Sequence, residues 1–290
     1  MVLGGEIMQQ KSVHWFPGHM QKAMRQIEEK IKLIDIVIEI VDSRAPHSSK
    51  NKFLEKLTKN KKRIIVMSKK DLADPNLLKN WEEKYKLEGY YPVPCNLNNN
   101  QDINEILKAI QIVGKEKTDR DIRRGMKPQP IRVMVIGIPN VGKSTLINRL
   151  SKRGSASTAN TPGHTRSQQW IRVDKTLELL DTPGILPPHY DSQKEAINLA
   201  LIGSMKIETI SVSDLVNELL SFLRKNHMDK VVERYSLENI ETDHDVLEGI
   251  AKRRGLLLTQ GQFDLEKAEI LLLKEFKEGV IVKTIIDELC

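Results

Sequence analysis

The sequence predicts an α/β chain: a doubly wound, mainly parallel sheet followed by a small all-helical C-terminal unit. Three observations predict it. Between Asp35 and Leu180, short apolar β-branched runs alternate with stretches of helical spacing, the pattern of successive βαβ units. One of these runs, Arg132 to Ile136, leads into Gly137-Ile138-Pro139-Asn140-Val141-Gly142-Lys143-Ser144, and Thr145 to Leu150 then takes helical spacing. From about Ile207 the strand signal disappears and only helical periodicity is left. The expected division is 1–205 for the sheet-bearing domain, with a histidine-containing N-terminal segment, and 206–290 for the helical one.

Composition narrows the class. The chain has 290 residues, of which 39% are hydrophobic, enough for a real core in one large or two modest domains. No apolar run is long enough for a membrane span, and Met1 to Gln10 lacks the basic-then-apolar pattern of a secretory signal. Two cysteines, Cys95 and Cys290, cannot build a disulfide framework or a four-ligand zinc site, so a reducing cytoplasm is expected. The net charge of +7 is unevenly placed. From Lys206 onward 12 Lys and Arg face 17 Asp and Glu, giving −5, which leaves +12 on residues 1–205. A basic balance suits a polyanionic partner, and the asymmetry puts any broad electrostatic grip on the first part of the chain.

The elements follow in order. His14-Trp15-Phe16-Pro17-Gly18-His19-Met20 opens with aromatics and a Pro-Gly turn before a helix expected over 20–33. Asp35 to Val41 reads as a strand ending at Asp42-Ser43-Arg44-Ala45-Pro46. A short helix around Phe53 to Leu57 precedes a strand at Ile64 to Met67. A helix over Asn76 to Leu87 leads to Tyr90 to Cys95, a strand whose prolines lack amide donors and which therefore belongs at an edge. Ile103 to Val113 is helical, and Lys115 to Pro130 reads as a charged connector. Gly154 to Ser167 is loop by composition. Gln169 to Val173 and Thr176 to Leu180 are separated by Asp174-Lys175, a hairpin signal. In the tail, Ser211 or Ser213 caps a helix with Leu215, Val216, Leu219, Leu220 and Leu223 on one face. Further helices are expected over 245–253, 265–276 and 280–289.

Gly137 to Ser144 fits G-x-x-x-x-G-K-[ST], a phosphate-binding loop in the right strand–loop–helix setting. Amides of Asn140, Val141, Gly142, Lys143, Ser144 and Thr145 would wrap phosphate oxygens at a helix N-terminus. Lys143 would reach the β/γ-phosphates, and Ser144 would hold Mg²⁺. Asp181-Thr182-Pro183-Gly184 lies 37 residues after Ser144 and follows the hairpin. It resembles the D-x-x-G element of GTPases, where the carboxylate binds Mg²⁺ through water and the Gly184 amide senses the γ-phosphate. Between the two, Thr165 could close the Mg²⁺ shell; Thr161 competes, and Thr158 reads as loop surface. A guanine reader, usually N-K-x-D, is absent after Gly184. It appears upstream as Ser68-Lys69-Lys70-Asp71, with Cys95-Asn96 one strand later as a second base contact.

Reader, base loop, P-loop, loop threonine and D-x-x-G therefore come in rotated order, which matches the circularly permuted GTPases. With the W-F-P-G-H-M opening and the helical tail, the whole chain resembles the bacterial ribosome biogenesis GTPase A family. The resemblance implies a circularly permuted P-loop GTPase domain. It further implies hydrolysis of GTP to GDP coupled to a late step of large (50S) subunit assembly, contacts with a subunit precursor and ribosomal RNA, and a tail that touches RNA. For the tail, Lys252, Arg253 and Arg254, with Arg224, Lys225 and Lys230, are the candidate phosphate contacts. A monomer is expected. Two departures stand out: Ser68 replaces the usual Asn, and Cys95-Asn96 replaces a small Ser-Ala pair, where a backbone amide could still meet guanine O6. Asp71 is kept, so GTP is favoured over ATP.

The residue after D-x-x-G is Ile185, which cannot orient water as a Gln does in many small GTPases. His19 is the leading candidate for that work, since neutral imidazole can orient or accept a proton near neutral pH; His14 and His164 are rivals, and an aromatic-anchored docking segment is the bland alternative. Asn140 stands where potassium-dependent GTPases ligate K⁺. Competing functions are a regulatory GTPase unconnected with ribosomes and an RNA-binding scaffold with a structural nucleotide; an ATP kinase would leave Lys69, Asp71 and D-x-x-G unexplained.

Overall fold

A computed structural model describes Arg25, 27–154, 169–182, 192–205, 210–259 and 261–289. The strands are β1 (Ile36–Asp42), β2 (Lys62–Ser68), β3 (Tyr91–Cys95), β4 (Ile131–Ile136), β5 (Gln169–Arg172) and β6 (Leu177–Asp181). They form one sheet in the order β3-β2-β1-β4-β6-β5. All pairs are parallel except β5 with β6, the predicted hairpin. Its turn is closed by Asp174, whose Oδ1 accepts from Thr176 N at 2.6 Å. As the prolines require, β3 is an edge strand.

Alternation along the buried strands assigns the two faces. Ile36, Ile38 and Ile40 of β1 share a core with Val133 and Val135 of β4, whereas Val37 packs with Met134 and Ile136 on the other side. Helices α1 (Lys52–Thr58) and α2 (Pro75–Leu87) cover the second face through Leu54, Leu78, Trp81 and Tyr85. Helices α3 (Asn100–Arg123) and α4 (Lys143–Gly154) cover the first. Each of α1 to α3 begins at an Asn or Asp side chain that accepts backbone N–H groups of its first turn.

After β6 comes α5 (Gln193–Leu201), and the tail then contains α6 (Val212–Asn226), α7 (Met228–Tyr235), α8 (Asp243–Arg254) and α9 (Leu265–Lys277). Ser211, rather than Ser213, caps α6 by accepting from Asp214 N. Leu215, Val216, Leu219, Leu220 and Leu223 are all buried, as their spacing predicts. Their core is continuous with that of the sheet through Leu199 and Ala200 of α5.

Three expectations change. α3 runs on to Arg123, so most of the expected connector is helix; no glycine or proline interrupts its polar outer face after Gly114. α5 and α7 are elements the periodicity did not single out. The helix expected over 280–289 is absent: Gly279, at φ +66°, ends α9 and the chain continues as neither helix nor strand. Its β-branched residues are poor helix formers, and tertiary contacts capture them. Ile286 N donates to Arg44 O at 2.8 Å, and Asp287 accepts from Ser48 N and Oγ at 2.8 and 2.5 Å.

One buried carboxylate carries a pH signature. Glu39 of β1 is 2% exposed and accepts Asn51 N at 3.0 Å. Burial pushes its pKa up to about 7 against an ordinary 4.5, with Lys50 and Arg63 opposing. The native state therefore holds this proton to higher pH than the unfolded chain does. The associated stability is complete below about pH 4.5 and is lost as pH rises through about 7. Glu39→Gln keeps an acceptor for Asn51 and removes the titration. Denaturant unfolding at about pH 5 and about pH 8 should show the wild type losing stability relative to the variant, by up to on the order of 3 kcal/mol; an equal change in both proteins contradicts this account.

Candidate functional site

Parallel strands deliver their C-terminal ends to one edge, where open α/β sheets bind ligands. The register sets Asp42 beside Ser68 and Ser68 beside Cys95. On the other side Val135 pairs with Asp181, and β4 runs straight into Gly137. Segments far apart in sequence thus meet at one rim.

The phosphate loop is tightly built. At Gly137 a Cβ would lie 2.8 Å from Ile40 O, so β1 passes too close for any side chain. Gly142 has φ +104°, and a Cβ there would meet Leu97 Cδ1 at 2.6 Å, which brings the loop after β3 against the phosphate loop. Asn140 takes a left-handed φ of 62°, and its Nδ2 donates to Gly203 O at 3.0 Å. Lys143 is buried beneath the loop and donates to Thr182 O. Burial lowers its pKa to about 8, against the pull of the nearby Asp181 carboxylate. Ser144 and Thr145 are exposed at the start of α4, and Asp181 is buried at the end of β6. Thr182 Oγ1 donates to Val135 O at 2.6 Å, holding that turn against the P-loop strand.

The base-side loops interlock with it. Ser68 Oγ is buried within 3.0 Å of Val41 O and 2.6 Å of Val141 O. Its single proton can serve one of these carbonyls at a time, and the shorter contact ties β2 directly to the phosphate loop. Serine, where Asn is usual, thus ties the base-side loop to the phosphate loop through its own hydroxyl. Lys69 adopts φ 57°, and its Nζ bonds Asp42 Oδ2 at 2.7 Å. Asp71 is exposed on the 3₁₀ turn Lys70–Leu72. Asp102, at the start of α3, accepts Lys70 Nζ at 2.6 Å and Asn96 N at 2.7 Å, bracing the two base loops against each other. The Asn96 amide is therefore already donated in this arrangement. Cys95 is fully buried, and desolvation pushes its thiol up to about 12, so it fills space as a neutral group.

Asp42, Arg44, Asp102 and Leu97 are site residues that motif reading passed over. Asp42 is fully buried and, despite desolvation, its carboxyl is held below the usual range by Arg44 and Lys69. Arg44 donates through its N, Nε and NH2 to that carboxylate at 3.0, 2.9 and 2.7 Å, and reaches Lys277 O and Ile202 O at 2.7 and 3.0 Å. The available signal was a carboxylate and an arginine two apart at the end of a buried strand. Among the tail cations, Arg254 pairs with Glu275 at 3.2 Å and Arg224 with Asp243 at 2.8 Å, so both serve the fold; Lys252 and Arg253 are exposed. His14, His19, Thr158, Thr161, His164, Thr165, Gly184 and Ile185 lie outside the described residues.

A phosphate loop, a strand-end aspartate and an upstream base-side loop, gathered on one rim in rotated chain order, define a circularly permuted P-loop GTPase. Residues 18–190 match the family model described as RsgA GTPase, and 132–249 the one described as 50S ribosome-binding GTPase. Ribosome biogenesis GTPase A of Bacillus cereus is 42% identical over 272 residues, covering 93% of this chain and 92% of that one. The GDP-bound structure of Thermotoga maritima YlqF superposes with a TM-score of 0.62 at 26% identity, covering 91% of this chain and 99% of that one. The GNP-bound structure of the same protein gives 0.62 at 25%, covering 92% and 98%. The chain belongs to the ribosome biogenesis GTPase A family. It binds and hydrolyses GTP.

The Asp102 brace gives a direct test. A carboxylate accepts on both oxygens, whereas asparagine would turn its NH₂ toward either Lys70 or Asn96. Asp102→Asn should weaken binding of a fluorescent GDP analogue about tenfold, roughly the 1.4 kcal/mol expected for one lost charged hydrogen bond. Undiminished affinity would show that the brace does not position the base loops.

Proposed function

We propose that this ribosome biogenesis GTPase acts as a GTP-dependent switch in a late step of large-subunit (50S) assembly, binding a subunit precursor and its ribosomal RNA. The carrying observation is the contact of Ser68 with Val141 O, which joins the upstream base-side loop to the phosphate loop as one nucleotide site. In this reading Asp71 selects guanine by accepting from its N1 and N2, Lys69 covers the base, and the loops of Ser68 and Cys95-Asn96 frame it. Amides of Asn140 to Thr145, with Gly184, hold the phosphates, and Lys143 exchanges Thr182 O for phosphate oxygen. The donor set suits Mg²⁺: the Ser144 hydroxyl at the start of α4 and the buried Asp181 carboxylate at the end of β6 are hard oxygen ligands, and Thr165 would complete them. Held by these residues, the ion would supply neutralisation of the phosphate charge. Asn140 would offer Oδ1 to K⁺ while Nδ2 stays on Gly203 O. His19 orients the attacking water, because Ile185 cannot. Residues 1–205 form the GTP-binding domain and 206–290 an RNA-contacting one, in a cytoplasmic monomer; among the described residues no helix is long and apolar enough to cross a membrane.

The chain should co-sediment with large-subunit precursor particles with a non-hydrolysable GTP analogue and less with GDP, and particles should raise its turnover. His19→Ala should keep GTP binding and lose most of that stimulation; normal stimulated kcat would remove His19 from the mechanism. Turnover in KCl should exceed that in NaCl, and equal rates would dismiss the potassium site at Asn140.

A further inference from the structure

The edge of the sheet opposite the nucleotide carries a built cationic projection, and we infer that it is a docking surface for the phosphate backbone of double-stranded RNA. The inference deepens the reading of the chain as acting on a ribosomal particle and rests on it. Its origin is the length of α3. A 24-residue helix spans about 36 Å, whereas a seven-residue strand spans about 23 Å. The overshoot falls at the N-terminal edge of the strands. There Gly114 packs on the first residues of β4 and β1, where a Cβ would meet Ile131 Cδ1 at 2.5 Å and Ile36 Cδ1 at 3.4 Å. Everything in α3 after Gly114, Lys115 to Arg123, projects past the sheet by about 14 Å.

The projection is braced. Asp121, 7% exposed, accepts Gln129 N at 3.2 Å and Lys117 Nζ at 3.3 Å. Lys117 Nζ also bonds Gln129 O at 2.8 Å, and Met126 N bonds Asp121 O at 3.0 Å. The segment returning to β4 is thereby folded against the last turns of the helix. Neighbouring segments join the same edge: Lys62 at the start of β2 pairs with Glu116 at 3.2 Å, and Ile131 N bonds Thr176 O at 2.8 Å, which brings the β5–β6 turn alongside.

The charges here are spent unequally. Glu116 and Asp121 are engaged by Lys62 and Lys117, Asp174 and Asp35 accept N–H groups of Thr176 and Arg132, and Asp119 is the one exposed acid of the projection with no ion pair among the described residues. Lys59, Lys115, Arg123, Arg124, Lys127 and Lys175 are exposed, and none has an ion pair among the described residues. The helix macrodipole favours cations in the last turn of α3 but accounts for neither Lys59, Lys127 nor Lys175. A ridge of separate cations from three chain segments fits the spaced phosphates of a duplex. Residues 115–130 contain no aromatic side chain on which the bases of a single strand could stack. In the tail, Arg224 and Arg254 are committed internally, which leaves Lys252 and Arg253 as its exposed cations.

Arg123→Gln/Arg124→Gln/Lys127→Gln tests the surface without touching the nucleotide rim. Basal GTP hydrolysis and thermal midpoint should match the wild type. Binding to a 20-base-pair RNA duplex should weaken more than tenfold. The slope of log affinity against log salt should shrink by about two to three, from the release of up to three fewer counterions. On large-subunit precursor particles the variant should co-sediment less than the wild type. An unchanged duplex affinity and slope, or undiminished co-sedimentation beside a wild type that binds, overturns the surface and leaves the ribosomal reading standing. A wild type that binds duplex but no particle overturns that reading, and the placement on a ribosomal particle with it.

Discussion

The buried ion cluster at the end of β1 is the interaction on which the arrangement depends. Asp42 has no contact with water, so its charge stands only because Arg44 and Lys69 surround it. Each partner does second work. Lys69 belongs to the base-side loop, and the Arg44 guanidinium also satisfies the last carbonyls of α5 and α9. The Arg44 carbonyl, in turn, accepts from Ile286 N of the segment that follows α9. One carboxylate therefore fastens the nucleotide rim to the helical tail. Removing one partner would strand a desolvated charge, costing about 3–5 kcal/mol, far more than a surface pair.

Local chemistry made most of the fold legible. The phosphate loop announced itself because strand, glycines and helix start lie within a few residues of one another. Pro92 and Pro94 placed β3 at an edge because a missing amide donor is a property of the residue itself. The leucine stripe of α6 needed only its own spacing. What escaped notice depends on partners distant in sequence. Residues 280–289 have helical spacing, yet Ser48 and Arg44, more than two hundred positions earlier, bind them in an irregular path. Lys115 to Arg123 looked like a connector because its charge was read without the brace that Gln129 supplies.

The site divides in the same way. Ser68, Lys69, Asp71 and Lys143 could be found by type and order, and the structure gathers them with Asp181 on one rim. Asp102 could not be found, because a carboxylate one turn into a helix has no signature until Lys70 and Asn96 come to it. Serine at 68 has a shorter side chain than the usual Asn. Its hydroxyl nevertheless reaches Val141 O at 2.6 Å, a contact that depends on where the phosphate loop lies and not on the residue type alone.

The position of α5 has a mechanical consequence. Ten residues of chain separate Thr182, at the phosphate end of β6, from the first residue of this helix. Its body lies in the core shared by sheet and tail, and just past its far end Gly203 O receives Asn140 of the phosphate loop. Rotating the chain order has made α5 a link between the core shared by sheet and tail and the loop that grips the nucleotide. A displacement of that loop is therefore transmitted to the chain entering the tail, and a movement of the tail is transmitted to the loop.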